Sequence, residues 1–319
     1  RHAREWAPKS TNSATRLGAI RMKNATTHAK LLIVAAIWGL GWVAGRVAAR
    51  DIPPFTAGWA RYILAVACFL IFLKVTKQWV IPNKKQWKLI IAIGFLSTFL
   101  YQAFFMYGMI WTAAGEASLV ITFNPLFTAI LAVLLLGEKF DKRLASGLIL
   151  AVTGVAVLAW YSPNTDIPVD ERLLGDALIG LSALSWAFNT ILMKKAMTGE
   201  DAMSPLHLTV WSSVAGLLIQ TPAAIWEYTQ VGFPTDASVE AWSWLAFLAL
   251  FSTVLSYVWF ADGINKIGAS KTSFYVYLVP VFGIFSGWLL LDEKLGLSLA
   301  LSFVLIAGGV YLAQSKESS

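Results

Sequence analysis

From residue 30 to residue 315 the chain repeats one pattern, a long apolar run followed by a short polar break. Ten such runs lie near 30–49, 54–74, 87–110, 114–137, 142–161, 174–195, 205–226, 241–265, 269–291 and 296–315. A helix needs about 20 apolar residues, at 1.5 Å each, to cross the hydrocarbon of a bilayer. Backbone amides cannot be left bare in lipid, so each run is predicted as a transmembrane α-helix. The runs are too long for barrel strands, which need roughly 10 residues. The predicted fold class is an all-α integral membrane protein with ten transmembrane helices.

The pattern also repeats at a larger scale. Residues 123–140 read FNPLFTAILAVLLLGEKF and residues 278–295 read LVPVFGIFSGWLLLDEKL. From Trp87 to Val155 a constant shift of 155 needs no gap. It pairs Trp87 with Trp242, Ser97-Thr98 with Ser252-Thr253, Pro125 with Pro280 and Glu138-Lys139 with Glu293-Lys294. The earlier helices match with smaller shifts: Trp38 aligns with Trp186, Arg46 with Lys194 and Pro54 with Pro205. The halves have five helices each. An odd number makes the second half enter the membrane from the opposite side, an inverted repeat with its site expected between the halves near mid-membrane. The expected boundaries are 22–161 and 174–315, joined by an extracytoplasmic linker at 162–173 and followed by a short tail at 316–319. Residues 1–21 are read as a non-native or disordered tail ahead of Met22.

Composition agrees with this reading. Hydrophobic residues make up 57% of the chain and charged residues 13%, about half the charged share of a soluble domain. The net charge of +7 does not point to nucleic acid, because the basic residues sit in short clusters between apolar runs. Lysines 74, 77, 84, 85, 88, 194 and 195 fall in breaks on one side, and Asp166, Asp170, Glu227 and Asp236 on the other. The positive-inside rule then puts both termini in the cytoplasm of a multi-pass protein of the cell membrane. One cysteine, Cys68, and three histidines far apart leave no basis for a disulfide or a Cys/His metal site, and no cofactor is expected.

The segments AAIWGLGWVAGRVA (35–48), PFTAGWARYILA (54–65), NPLFTAILAVLLLGEK (124–139), ALSWAFNTILMKKA (183–196) and VPVFGIFSGWLLLDEKL (279–295) together resemble the drug/metabolite transporter superfamily, in its ten-helix EamA-domain branch. The resemblance covers essentially everything from Met22 onward. It implies a secondary transporter, with export of amino acids or related metabolites favoured. Exchange of nucleotide sugars or phosphorylated metabolites stands as an alternative, as do a membrane scaffold and a membrane-embedded enzyme. An enzyme would need paired carboxylates, an activated nucleophile or a metal cluster at membrane depth, and none is visible, so no enzymatic activity is expected. The implied partners are a small-molecule substrate, the lipid bilayer and a coupling proton or a counter-substrate, for a monomer or homodimer.

Candidate site residues follow from the cost of burying polar groups in lipid. The amides Asn124 and Asn189 should face the interior, as cavity or as interhelical glue. Trp38 and Trp186 lie at equivalent positions away from the helix ends and, with Tyr101 and Tyr275, are expected to wall a substrate chamber. Pro125 and Pro280 each lack an amide hydrogen within a helix, so each kinks it and is a packing kink or a hinge. Arg61 lies two turns into its helix and needs a partner or water. Glu116 is its expected partner, with a clasp on a substrate carboxylate as the other reading. The shift of 155 maps Glu116 onto Lys271 at the opposite end. With Asp262 these residues are the expected gating or ion-pair groups. Arg46 is expected at the interface. No carboxylate lies deep in any run, so a mid-membrane carboxylate relay has no seat.

Overall fold

A computed structural model describes residues 11–137, 140–164, 166–267, 272 and 274–314. The helices are α1 (Thr11–Asp51), α2 (Pro54–Val75), α3 (Lys84–Trp111), α4 (Ala114–Leu135), α5 (Lys142–Tyr161), α6 (Val169–Ala196), α7 (Pro205–Val231), α8 (Val239–Ile264), α9 (Tyr275–Leu291) and α10 (Leu297–Gln314). Among the described residues, α1 to α8 each contain a stretch long and apolar enough to cross a membrane, and α9 and α10 are shorter apolar helices. The tail expected over 1–21 is helical from Thr11 onward, continuous with α1.

Turn chemistry sets the helix ends. Asn83 starts α3 with a capping box, accepting from the Lys85 and Gln86 amides while the Gln86 side chain reaches back. Asp141 caps α5, Ser204 caps α7 and Ser238 caps α8, each side chain accepting from the amide three residues on. Gly137 ends α4 in the left-handed region at φ 70°, and its repeat equivalent Asp292 ends α9 there at φ 54°. This explains why LLLGEK and LLLDEK echo each other: each copy needs a residue tolerant of positive φ at that stop.

The repeat extends to the defects in the helices. A π-helical segment interrupts α3 at Phe95–Leu100 and α8 at Leu248–Leu255. A 3₁₀ turn precedes Pro125 at Ile121–Phe123 and Pro280 at Phe274–Leu278.

The halves interleave. α1 packs on α8 and α9, and α6 packs correspondingly on α3 and α4; α2 meets α7 and α5 meets α10. Exchanging the halves maps this pattern onto itself. Small residues allow the closest crossings: a Cβ on Gly94 would lie 2.4 Å from the Ser212 carbonyl oxygen, and one on Gly147 2.4 Å from that of Gly309.

The inversion is visible in the loops. At the end holding the chain termini, Asn83 Nδ2 donates to Asp201 Oδ1 (2.8 Å), joining the α2–α3 and α6–α7 connections. At the other end, called here the linker end, Ser238 Oγ donates to Asp51 Oδ2 (2.5 Å), joining α7–α8 to α1–α2. Asn83 and Ser238 are 155 apart. The cap of the third helix in each repeat thus binds an aspartate of the other repeat, at opposite ends of the bundle. The chain is a multi-pass membrane protein of two inverted five-helix repeats.

Candidate functional site

A chain of aromatic side chains runs through the interface between the halves. Trp38 on α1 and Trp186 on α6 both pack on Tyr257 of α8, at 6.1 and 6.4 Å between ring centroids. Trp186 also meets Tyr101 of α3 at 5.2 Å. Tyr101 stacks on Phe105, which in turn meets Trp42 of α1 at 5.3 Å. Trp38 closes the other end against Phe260 at 5.2 Å. The Trp38 indole N–H donates to the Ser252 carbonyl at 2.9 Å. That carbonyl is accessible because Ser252 lies in the π segment of α8, where the backbone ladder is widened.

Three of the expected chamber residues, Trp38, Tyr101 and Trp186, therefore share one layer, and the other three make separate contacts. Asn189, one turn from Trp186, is buried; its Nδ2 points at Met193 Sδ (3.5 Å) and its Oδ1 has no partner among the described residues. Asn124 turns to its own helix, where Thr128 Oγ1 donates to its side-chain oxygen at 3.3 Å. Tyr275 lies at the terminal end, its hydroxyl 2.5 Å from His28 Nδ1.

The expected pairing of Arg61 with Glu116 is replaced by two separate arrangements. Arg61 is buried beside the aromatic layer. Its Nε and Nη2 donate to Thr253 Oγ1 (3.1 and 2.9 Å) and its Nη1 to Gln102 Oε1 (3.0 Å). Glu116 lies a helix end away. It accepts from Ser162 Oγ and from Asn164 Nδ2 (2.8 Å), and faces Arg172 Nε at 3.5 Å. Arg46, expected at the interface, sits at the ends of α1 and α3. It is buried, and its Nη1 donates to the last-turn carbonyls of α3, Met109 and Ile110, at 2.6 and 2.5 Å. That places a cation at the negative end of a helix.

Both ends of the bundle carry polar locks. At the linker end, Glu293 accepts from the first amides of α4, Ala114 (2.6 Å) and Gly115 (2.9 Å). Burial raises the Glu293 carboxyl above its ordinary value, and the two amide bonds oppose that rise. Nearby, Thr112 Oγ1 donates to Asp176 Oδ1 at 2.5 Å and Arg172 Nη2 to the Ala159 carbonyl at 3.0 Å. Glu227 of α7 caps α2 by accepting from the Phe55 and Thr56 amides at 3.2 and 2.7 Å. At the terminal end, Asp262 pairs with Lys266 at 2.7 Å and Lys30 at 3.9 Å, and Lys30 lies over the Trp259 ring. Lys271 lies outside the described residues. Among the described residues no group of histidine, cysteine and carboxylate side chains is placed to hold a metal ion.

Arg172, Ser162, Asn164 and Glu293 were not singled out by sequence reasoning. Glu293 read only as half of an echo. The one signal for Thr253 and Ser252 was their pairing with Ser97-Thr98 across the shift of 155.

Comparison with known proteins agrees with this architecture. The pattern of the EamA-like transporter family matches residues 27–160 and again 173–314. A probable amino-acid metabolite efflux pump of Escherichia coli (strain K12) is 29% identical over 294 residues, covering 88% of this chain and 92% of the pump. The uncharacterized transporter YoaV of Bacillus subtilis (strain 168) is also 29% identical, covering 88% of this chain and 94% of YoaV. One solved crystal structure has the same fold, with a TM-score of 0.58 at 16% identity, covering 91% of this chain and 97% of that one.

Proposed function

The chain belongs to the EamA-like transporter family, and on that premise we propose that it exports amino acids or related small metabolites by alternating access between its two repeats. The observation that carries the reading is the meeting of Trp38 and Trp186, equivalent residues of the two repeats, on one tyrosine at the interface between them. A solute held there touches both halves at once, so its binding can be coupled to their relative movement. The sequence relationship to an amino-acid metabolite efflux pump supports the substrate class.

In this reading Trp38, Tyr101 and Trp186 wall the chamber, Asn189 offers an unused acceptor beside it, and Asn124 and Tyr275 line the path. The Glu116–Arg172 cluster and Glu293 close the linker end. Asp262 with its lysines and the His28–Tyr275 bond close the terminal end. Both locks are made in this structure, as a closed intermediate requires. Pro125 and Pro280 act as hinges. Each follows a 3₁₀ turn and lacks the amide that would tie the turn to the helix before it. The lysine distribution supports a cytoplasmic position for the termini and an outer one for the linker end.

Purified protein in liposomes should move members of an L-amino-acid panel. Trp38→Ala, Asn189→Ala and Tyr275→Ala should each slow that flux about tenfold, the equivalent of roughly 1.4 kcal/mol of lost interaction, with normal yield of folded protein. Unchanged flux in all three variants would show that the solute passes elsewhere.

A further inference from the structure

Arg61 differs from the other buried arginines. Arg172 has Glu116 opposite it, and Arg46 has two helix-terminal carbonyls. Arg61 is 6% exposed, and among the described residues no carboxylate pairs with it. Its partners are neutral, the hydroxyl of Thr253 and the side-chain oxygen of Gln102. A guanidinium has five N–H groups, and these bonds use three. The Thr253 hydroxyl spends its own hydrogen on the Leu248 carbonyl, at 2.9 Å.

The surroundings add more donors. Gln102 turns its oxygen to Arg61, and its Nε2 is buried with no acceptor among the described residues. Gln220 Nε2, from α7, is likewise buried with none among the described residues. Both glutamines border Gly58, three residues before Arg61: a Cβ there would lie 2.9 Å from Gln102 Cγ and 3.3 Å from Gln220 Oε1. Unused N–H groups thus collect around one fixed positive charge. Buried polar groups in folded proteins almost always find partners, and an unpaired charge at this depth is costly. The cluster lacks what an anionic ligand would bring, a negative charge with several acceptor lone pairs.

Resting on the transport reading above, we infer that Arg61, Gln102 and Gln220 form the binding site for the carboxylate of the transported solute. A carboxylate accepts two parallel N–H bonds from a guanidinium and keeps lone pairs for the two amides. A single arginine suits a monoanion better than a phosphate dianion. The chain also sets what is attached to that carboxylate. Gln102 follows Tyr101, and Thr253 lies one turn before Tyr257, so the site adjoins the aromatic layer of Trp38, Trp186 and Tyr257. An amphipathic acid fits, with its carboxylate at Arg61 and its apolar part against the rings.

The test uses the full chain in liposomes and detergent with three probe sets: L-amino acids, their carboxamides, and glucose 6-phosphate. Flux and tryptophan fluorescence are read for each. The wild type should take free acids at least about tenfold better than the matching carboxamides. Arg61→Gln should abolish that preference and Arg61→Lys keep part of it. Gln220→Leu should weaken acid binding several-fold without lowering the melting temperature, which keeps the site testable if Arg61→Gln fails to fold. Equal handling of acids and carboxamides by the wild type overturns the carboxylate site while leaving transport intact. Preference for glucose 6-phosphate also overturns it, in favour of a phosphate site. Flux of no probe at all overturns the site and the transport reading together.

Discussion

Glu116 and Arg172 face each other at 3.5 Å with side chains 0% and 3% exposed. Each also binds neutral groups, Ser162 and Asn164 for the acid and two carbonyls for the base. Such a pair is held by mutual compensation, so removing one partner leaves the other charged and buried. Arg172→Met should therefore destabilise the protein by roughly 3–5 kcal/mol, and adding Glu116→Leu should recover most of the loss. Thermal unfolding in detergent checks both; a double variant no more stable than the single would disprove the compensation. At this scale the sequence revealed which residues are expensive to bury but not who meets whom. Arg61 and Glu116 both read as needing a partner, and each found one on another helix. One sequence also cannot show that the end of α3 lies beside Arg46.

At the scale of elements, the Glu-Lys echo becomes a mechanical feature. The left-handed stop at Asp292 turns the chain so that Glu293 reaches the first amides of α4, in the opposite repeat. Ionised, it complements the positive end of that helix, but burial raises its affinity for a proton. Arg46 and Arg50 face it and oppose the rise, and Glu116 adds a like charge. Because the folded pKa is above the unfolded one, the folded protein binds more protons in that range. Stability from this group is full below the ordinary value of 4.5 and is lost as pH rises through the folded pKa. Glu293→Gln should flatten that slope. Melting temperatures of the two proteins from pH 4 upward decide it, and parallel curves would refute the assignment. The existence of α1 to α10 was legible from apolar run lengths. The paired π segments were not, since the pattern of hydrophobic residues hardly changes where a helix widens by one residue.

For the whole molecule, the loop contacts make a topological prediction. Asn83 with Asp201 at one end and Ser238 with Asp51 at the other require the α2–α3 and α6–α7 connections to share a face. Single cysteines at Lys84, Lys195 and Lys294, placed in a Cys68→Ser background, should label accordingly. A membrane-impermeant maleimide added to intact cells should reach the Lys294 position and not the other two. Labelling that puts Lys84 and Lys195 on opposite faces would break the inverted arrangement. The interleaving of the halves also bears on the transport cycle. With α1 gripping α8 and α9, and α6 gripping α3 and α4, the moving bodies need not coincide with the halves of the sequence.

The sequence by itself determined the number of helices, the duplication and its inversion. Lipid imposes a minimum apolar length on every span, and an odd count of spans reverses the second copy. Only the tertiary structure decided the partners: Trp38 and Trp186 on Tyr257, Glu116 on Arg172, Glu293 on the start of α4, and Arg61 on the neutral Thr253 and Gln102. Periodicity tells which groups must leave the lipid. The packing of distant helices decides which groups they then meet, because those contacts join residues far apart in the chain.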